Sequence, residues 1–314
     1  MSAPRLTEQQ KRRIKAAQAD KRHSQQHSGL VIARFGKRIL VEDSNGRQVS
    51  CTLRRRVEDP VAGDRAFWSP NGEGGVIEAL EPRRTVIQRP NSQGHLRPIA
   101  ANLDRVYIVV APEPEPSAQL IDRYLVAAHH AGLEPILVVN KTDLPESSGL
   151  LKGLVRLYRE LGYKVIETNQ TIDPRGTQLL ASIGDTTLVL VGQSGVGKSS
   201  IAQRLLPQED IRVGALSAQS GLGRHTTTTA VLYHLPSGGK LVDSPGVREF
   251  HLNHLPPAAI SQGFTEFESL AGQCRFRDCL HQQEIGCAVL AAVAEGAIKP
   301  TRLESYLAIL NGQR

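Results

Sequence analysis

Short alternations of apolar and polar positions open the ordered part of the chain. "GLVIARFGKRILVED", "RQVSCTLRRR", "GDRAFWSP" and "GGVIEALEP" each read with a period of two, and turn signals such as Ser44-Asn45-Gly46 and Pro70-Asn71-Gly72 separate them. Several short strands in about sixty residues predict a small closed barrel of the OB type, a frequent platform for oligonucleotides. Phe67 and Trp68 are then candidates either for such a face or for the barrel core. Beyond residue 100 the period changes. "LDRVYIVVAP", "EPILVVNKTD", "YKVIET" and "TTLVLVGQ" read as strands, and "SAQLIDRYLVAAHHAG", "LLKGLVRLYRELG" and "TQLLASIG" between them read as helices. That alternation predicts a parallel sheet covered by helices on both faces. Past residue 251 the pattern is helical, with "PPAAISQGFTEFESLAG" and "TRLESYLAILNGQ" on either side of a Cys/His cluster.

The first 28 residues are polar, rich in Gln, Lys and Arg, and carry no sustained apolar stripe, which predicts a basic flexible arm. Length and pattern together predict four parts: the arm (1–28), the barrel (29–92), the α/β domain (93–250) and a helical C-terminal domain (251–314). The charge is uneven across them. Residues 1–98 hold 19 Lys and Arg against 10 Asp and Glu, whereas the remainder holds 19 against 21. A basic front end on a near-neutral body is the asymmetry of a nucleic-acid-facing module. The chain has no apolar run long enough to span a membrane and no secretory leader pattern, so a cytoplasmic protein without a membrane partner is expected.

The chemistry sits in four motifs. Gly192, Gln193, Ser194, Gly195, Val196, Gly197, Lys198, Ser199 and Ser200 follow one predicted strand and precede a helix signal, and they satisfy G-x-x-x-x-G-K-[ST]. In that context backbone N–H groups and a helix N-terminus cradle phosphates, Lys198 reaches the β and γ phosphates, and Ser199 faces Mg²⁺. "LVDSPGV" places Asp243 at a strand end with Gly246 three residues on, where the metal-side acid of such nucleotide hydrolases belongs. Between them, "SGLGRHTTTTAVLYHL" can supply one of Thr226, Thr227 and Thr228 to the metal. Earlier in the chain, Asn140, Lys141, Thr142 and Asp143 form an N-K-x-D tetrad at the end of an apolar run. A rigid Asp143 carboxylate accepts from two donors on guanine that adenine lacks, which selects GTP and GDP. Because the tetrad precedes the phosphate loop, the domain is expected to be circularly permuted.

Cys274, Cys279, His281 and Cys287 have the spacing C-x₄-C-x-H-x₅-C. Three thiolates and an imidazole close a tetrahedral shell, predicting one structural Zn²⁺. Cys51 stands apart and is expected to be a small core residue.

"NKTD", "GQSGVGKSS", "GLGRHTTTT", "DSPGVREF" and "CRFRDCLHQQEIGC", in this order, resemble the ribosome small-subunit-dependent GTPases of the RsgA (YjeQ) family from about residue 30 to the C-terminus. The resemblance implies an OB-fold, a permuted GTPase domain and a zinc domain. It also implies slow GTP hydrolysis stimulated by the small ribosomal subunit and its rRNA, a role in late maturation of that subunit among other assembly factors, and a monomer. His225 is implied as the group that positions or activates water, with Lys198 as its catalytic companion; Val247 stands where other GTPases carry a glutamine. The chain departs from the family in its guanine-backing element, for which the best candidate is "VIETNQT" around Thr168 and Asn169. In the permuted order the Asp243–Gly246 segment runs into the zinc domain through "VREFHLNHLPP", a route by which nucleotide state could be relayed. Two rivals stay open at this stage: an RNA-binding assembly factor whose nucleotide site only senses, and a P-loop ATPase or kinase with an accidental tetrad.

Overall fold

The period-two segments fold as five strands, β1 (His27–Phe35), β2 (Arg38–Asp43), β3 (Gln48–Leu53), β4 (Arg65–Asn71) and β5 (Gly74–Leu80). The computed structural model describes residues 26–55, 57–91, 93–145, 149–171, 173–206, 229–244, 252 and 255–312. Two compact units divide the chain between Pro82 and Arg83.

In the first unit β1 pairs antiparallel with β2 and β4, β2 with β3, and β4 with β5, while β3 and β5 run parallel. The five strands therefore close on themselves, which removes the exposed edges of an open sheet. Alternate residues point inward, so Val31, Ile39, Val41, Cys51, Trp68 and Ile77 form the core. Trp68 is thus a core aromatic, while Phe67, its neighbour on the opposite face, is half-buried. Cys51 is fully buried, and burial pushes its thiol up to about 11, the behaviour of a small apolar filler.

The second unit begins with a hairpin that the apolar pattern did not announce: β6 (Val86–Pro90) pairs antiparallel with β7 (Leu96–Ala101). Prolines 90 and 98 mask its period. Its turn is built by Asn91, whose side-chain oxygen accepts from the backbone N–H of Gln93 and His95, both at 2.9 Å.

The expected strand and helix alternation follows: β8 (Arg105–Val110), α1 (Ala118–His130), β9 (Glu134–Val139), α2 (Leu150–Glu160), β10 (Lys164–Glu167), α3 (Thr177–Ile183), β11 (Thr187–Val191), α4 (Lys198–Leu205), β12 (Val231–His234) and β13 (Lys240–Asp243). Within this unit the strands follow the order β10-β9-β8-β11-β13-β12, all parallel except β12. Residues 106–110 of the central β8 are at most 5% exposed, because helices cover both faces of a parallel sheet.

Four short helices complete the unit: α5 (Pro257–Gln262), α6 (Thr265–Glu268), α7 (Ala288–Ala294) and α8 (Pro300–Asn311). The helical pattern of 256–272 is thus delivered in two pieces. Gly263 sits between them against α1, where a Cβ would lie 2.7 Å from the Val126 Cα, and the extended Phe264 then turns its ring into the core. That core is shared: Val126 and Ala127 of α1 pack with Leu255, Ile260, Phe264, Phe267, Tyr306 and Ile309.

A buried charge cluster crosses the same interface. The Arg302 guanidinium on α8 pairs with Asp122 of α1 and with Glu266 of α6 (Nε to Oε1, 2.5 Å), stacks 4.4 Å from the Phe264 ring centroid, and is 2% exposed. Tyr158 of α2 donates to the same Asp122 oxygen at 2.6 Å. Burial alone would loosen Arg302's hold on its proton, but the bond to Glu266 and the charge of Asp122 outweigh it and raise its pKa. Arg302→Met would strand a buried carboxylate, and is expected to lower the unfolding free energy by about 3–5 kcal/mol. Adding Asp122→Leu should recover much of that loss. Chemical denaturation of the single and double variants measures both.

Candidate nucleotide and metal sites

Because β8, β9, β11 and β13 are parallel, their C-terminal ends lie on one edge of the sheet, the edge where open α/β sheets bind ligands. Asn140 to Asp143 leave the end of β9, the glycine-rich loop leaves the end of β11, and Asp243 ends β13. Motifs about fifty residues apart in sequence thus converge because only β8 separates β9 from β11.

Side chains lock the two loops together. The buried Asn140 amide donates to the Val196 carbonyl at 2.9 Å, and Lys141 Nζ donates to the carbonyls of Gly195 (2.8 Å) and Glu113 (3.0 Å). Two glycines are required here. Gly192, at φ +136°, passes so close to β8 that a Cβ would lie 2.2 Å from the Val109 carbonyl oxygen; at Gly197 (φ +96°) it would lie 2.3 Å from the Asn140 side-chain nitrogen. Lys198 Nζ donates to the Gly192 and Gln193 carbonyls, both at 2.7 Å, which holds the ammonium over the loop.

The groups that would meet a ligand are accessible. Ser194, Gly195, Ser199 and Ser200 are exposed around the loop and the first turn of α4, as are Thr142 and Asp143 at the tetrad. Asp243 is exposed at the mouth of a cavity of about 190 Å³ that Lys198, Ser199, Gln203 and Tyr233 also line. His225, Thr226, Thr227, Thr228 and Gly246 lie outside the described residues, as does the connecting segment 245–251.

The segment after β10 stands behind the tetrad. Thr168 and Asn169 are buried, the Asn169 amide donates to Thr142 Oγ1 at 2.8 Å, and the Thr142 N–H points to the Thr168 carbonyl at 3.5 Å. Behind both lies Arg204 of α4, which reaches four oxygens of this layer. Sequence reasoning did not single out Arg204: a basic residue six positions after Lys198 on an amphipathic helix reads as solvent-facing.

A second site lies among the C-terminal helices. One ligand atom from each of Cys274, Cys279, His281 and Cys287 falls within 4.8 Å of the others. His281 Nδ1 is 3.7, 3.5 and 3.3 Å from the sulfurs of Cys274, Cys279 and Cys287, and the Cys274 and Cys287 sulfurs are 4.0 Å apart. A tetrahedral ion with bonds of about 2.3 Å to sulfur and 2.0–2.1 Å to nitrogen separates its ligand atoms by roughly 3.5–3.8 Å, so the donor set fits. Burial and the neighbouring thiols push Cys279 up to about 12, a state that a divalent cation would reverse by stabilising the thiolates. Burial lowers the His281 pKa, keeping a neutral ligand imidazole. Glu284 staples the loop by accepting from the backbone N–H groups of Leu280, Gln282 and Gln283. Cys287 also caps α7, its sulfur accepting from the Leu290 N–H.

Cys279→Ser should lower both the content of thiolate-bound metal and the melting temperature, since Cys287 belongs to both the cluster and the shared core and Tyr306 of that core packs against His281. Elemental analysis and thermal melting with and without a chelator check this. An unchanged metal content would remove the site.

Three comparisons bear on the chain. The family model described as RsgA GTPase matches residues 80–253. The small ribosomal subunit biogenesis GTPase RsgA of Azotobacter vinelandii is 48% identical over 99% of this chain and 98% of its own, and the protein of that name from Pseudomonas putida is 50% identical over 90% and 84%. Among solved structures, YjeQ from Thermotoga maritima superposes with a TM-score of 0.74 at 31% identity, covering 92% of this chain and 98% of the other. YloQ, described as a circularly permuted GTPase, superposes with a TM-score of 0.71 at 26% identity, covering 93% of this chain and 96% of the other.

Proposed function

The chain belongs to the RsgA GTPase family, and from that membership we propose that it is a GTP hydrolase acting in biogenesis of the small ribosomal subunit, with turnover stimulated by that subunit. The observation that carries the guanine reading is the 2.9 Å bond from the Asn140 amide to the Val196 carbonyl. It makes the tetrad and the phosphate loop one rigid site, and an accidental N-K-x-D would have no reason to hold the phosphate loop.

In this reading Asp143 accepts from guanine, and the backbone of residues 192–197 with the N-terminus of α4 binds the phosphates. Lys198 neutralises the developing charge. Mg²⁺, which the family implies, would be held by Ser199, with Asp243 and a threonine among Thr226 to Thr228 beside it, and would supply charge neutralisation at the terminal phosphates. His225 positions water, a task suited to a side chain that can both accept and donate a proton. The C-terminal cluster takes one structural Zn²⁺, three thiolates and an imidazole leaving no open position.

The five-stranded barrel supplies the rRNA-facing surface, the permuted GTPase domain follows it, beginning with the β6–β7 hairpin and running to about residue 250, and the zinc domain spans 251–314. Supporting the first assignment, Phe35 is 41% exposed at the tip of the β1–β2 turn beside the exposed Lys37 and Arg38, the pairing of aromatic face and cation that stacks on bases and neutralises phosphates. Among the described residues no helix is long and apolar enough to cross a membrane. A cytoplasmic monomer is the state proposed.

Steady-state phosphate release from GTP and from ATP, with and without purified small ribosomal subunits, tests the reading. Hydrolysis of GTP alone, raised by the subunit, is expected. Lys198→Ala should reduce it by about 10²–10³-fold, and His225→Ala should abolish the stimulated component. Equal turnover of ATP would remove the guanine assignment, and no response to the subunit would leave a nucleotide-sensing RNA-binding factor.

A further inference from the structure

We propose that Arg204 is a positioning residue for base recognition, clamping the segment behind the guanine tetrad to the helix that follows the phosphate loop. This rests on the guanine reading above and extends it to a side chain that touches neither base nor phosphate.

The geometry is a fork with both terminal nitrogens used. One terminal nitrogen of the Arg204 guanidinium donates to the backbone carbonyls of Asn169 (3.1 Å) and Asp173 (3.0 Å) and lies 3.5 Å from Thr168 Oγ1. The other terminal nitrogen lies 3.4 Å from the Asn140 side-chain oxygen. The Asn140 amide therefore bridges two partners, donating to Val196 of the phosphate loop and accepting from α4. From the clamped segment the path continues to the base side, since the Asn169 amide donates to Thr142 Oγ1 and Thr142 immediately precedes Asp143.

The far end of the segment is equally fixed. The Asp173 carboxylate accepts from the N–H groups of Thr177 and Gln178 and from the Thr177 hydroxyl, capping the start of α3. Gly176 then packs so closely on α4 that a Cβ would lie 3.3 Å from Leu205 Cδ2. Arg204 thus fastens a stretch whose two ends are held by the tetrad and by α3. Among the described residues its Nε is buried without a partner, a cost that accompanies one terminal nitrogen reaching the backbone carbonyls and the other the Asn140 oxygen. A lysine has a single nitrogen on a flexible stem and cannot hold two backbone carbonyls and the Asn140 oxygen together.

Without the clamp, Thr168 and Asn169 lose their support and Thr142 with them, so the direction of the Asp143 carboxylate loosens while the phosphate loop keeps Lys198 and its glycines. The consequence is a loss of base discrimination rather than of phosphate binding. Inosine differs from guanosine by lacking the exocyclic amine that Asp143 accepts from, so the ratio of IDP to GDP dissociation constants isolates the effect from phosphate affinity and from general destabilisation.

Equilibrium titration of the full-length protein with fluorescent GDP, competed by GDP, IDP and ADP in the presence of Mg²⁺, provides the test. Arg204→Ala is expected to weaken GDP about tenfold more than IDP, and Arg204→Lys to fall between the variant and the natural protein. Asn169→Ala, which removes the link to Thr142 while leaving Arg204 and its backbone carbonyl partners in place, should reduce the same ratio and serves if Arg204→Ala fails to fold. A natural protein that prefers GDP, with variants that keep its GDP-to-IDP ratio, overturns the role of Arg204 and leaves the guanine reading standing. A natural protein with no preference for GDP over ADP overturns the guanine reading and this proposal with it.

Discussion

One hydrogen bond, from the Asn140 side chain to the Val196 carbonyl, makes the permuted order workable. A nucleotide site needs its base-reading and phosphate-binding loops at a fixed separation, and peptide connectivity between them is not what sets it. The separation is set by the sheet: β9 and β11 both flank β8, their C-terminal ends share one edge, and the asparagine amide with Lys141 fastens the loops across the gap. Once that link exists, where the chain enters and leaves the domain is free to change. The glycines at 192 and 197 follow from the same constraint, because the loop must run against the Val109 carbonyl and the Asn140 amide at distances that leave no space for a side chain.

A freed chain end needs somewhere to go, and the C-terminal helices show how it is secured. They do not form a separate globule but share their core with α1. The Arg302 cluster adds a charged lock to that core, drawing partners from α1 and α6, with α2 joining through Tyr158. Such a cluster contributes little net stability compared with apolar packing, but it accepts only one register between the helices. The metal-ligand set lies against this same core through Tyr306 and Phe267, so the short helices α5 to α7 need not carry enough apolar surface of their own.

Much of the fold was legible beforehand. The strand and helix alternation between residues 105 and 205 matches its periods element by element, since a parallel sheet buried on both faces leaves long apolar runs that nothing else explains. Other features were not legible. The β6–β7 hairpin hides behind prolines, and its turn depends on an asparagine side chain bonding its own backbone. Whether Trp68 faced a partner or the core could not be settled from its spacing alone, because period two places a residue on one face without saying which face is covered. Closure of the barrel covers it.

The sequence by itself determined which motifs are present: a glycine-rich loop ahead of a helix, an N-K-x-D tetrad at a strand end and a Cys/His set, each a short-range pattern of particular residues at particular offsets. Only the tertiary structure decided that the first two are hydrogen-bonded on one edge of the sheet, that Thr168 and Asn169 stand behind the tetrad, and that Arg204 reaches them from a helix over thirty residues away in the chain. Those relations depend on strand order and helix packing, which are set by the sum of many weak apolar contacts rather than by any local motif. A lone arginine on a helix carries no record of the carbonyls it will meet.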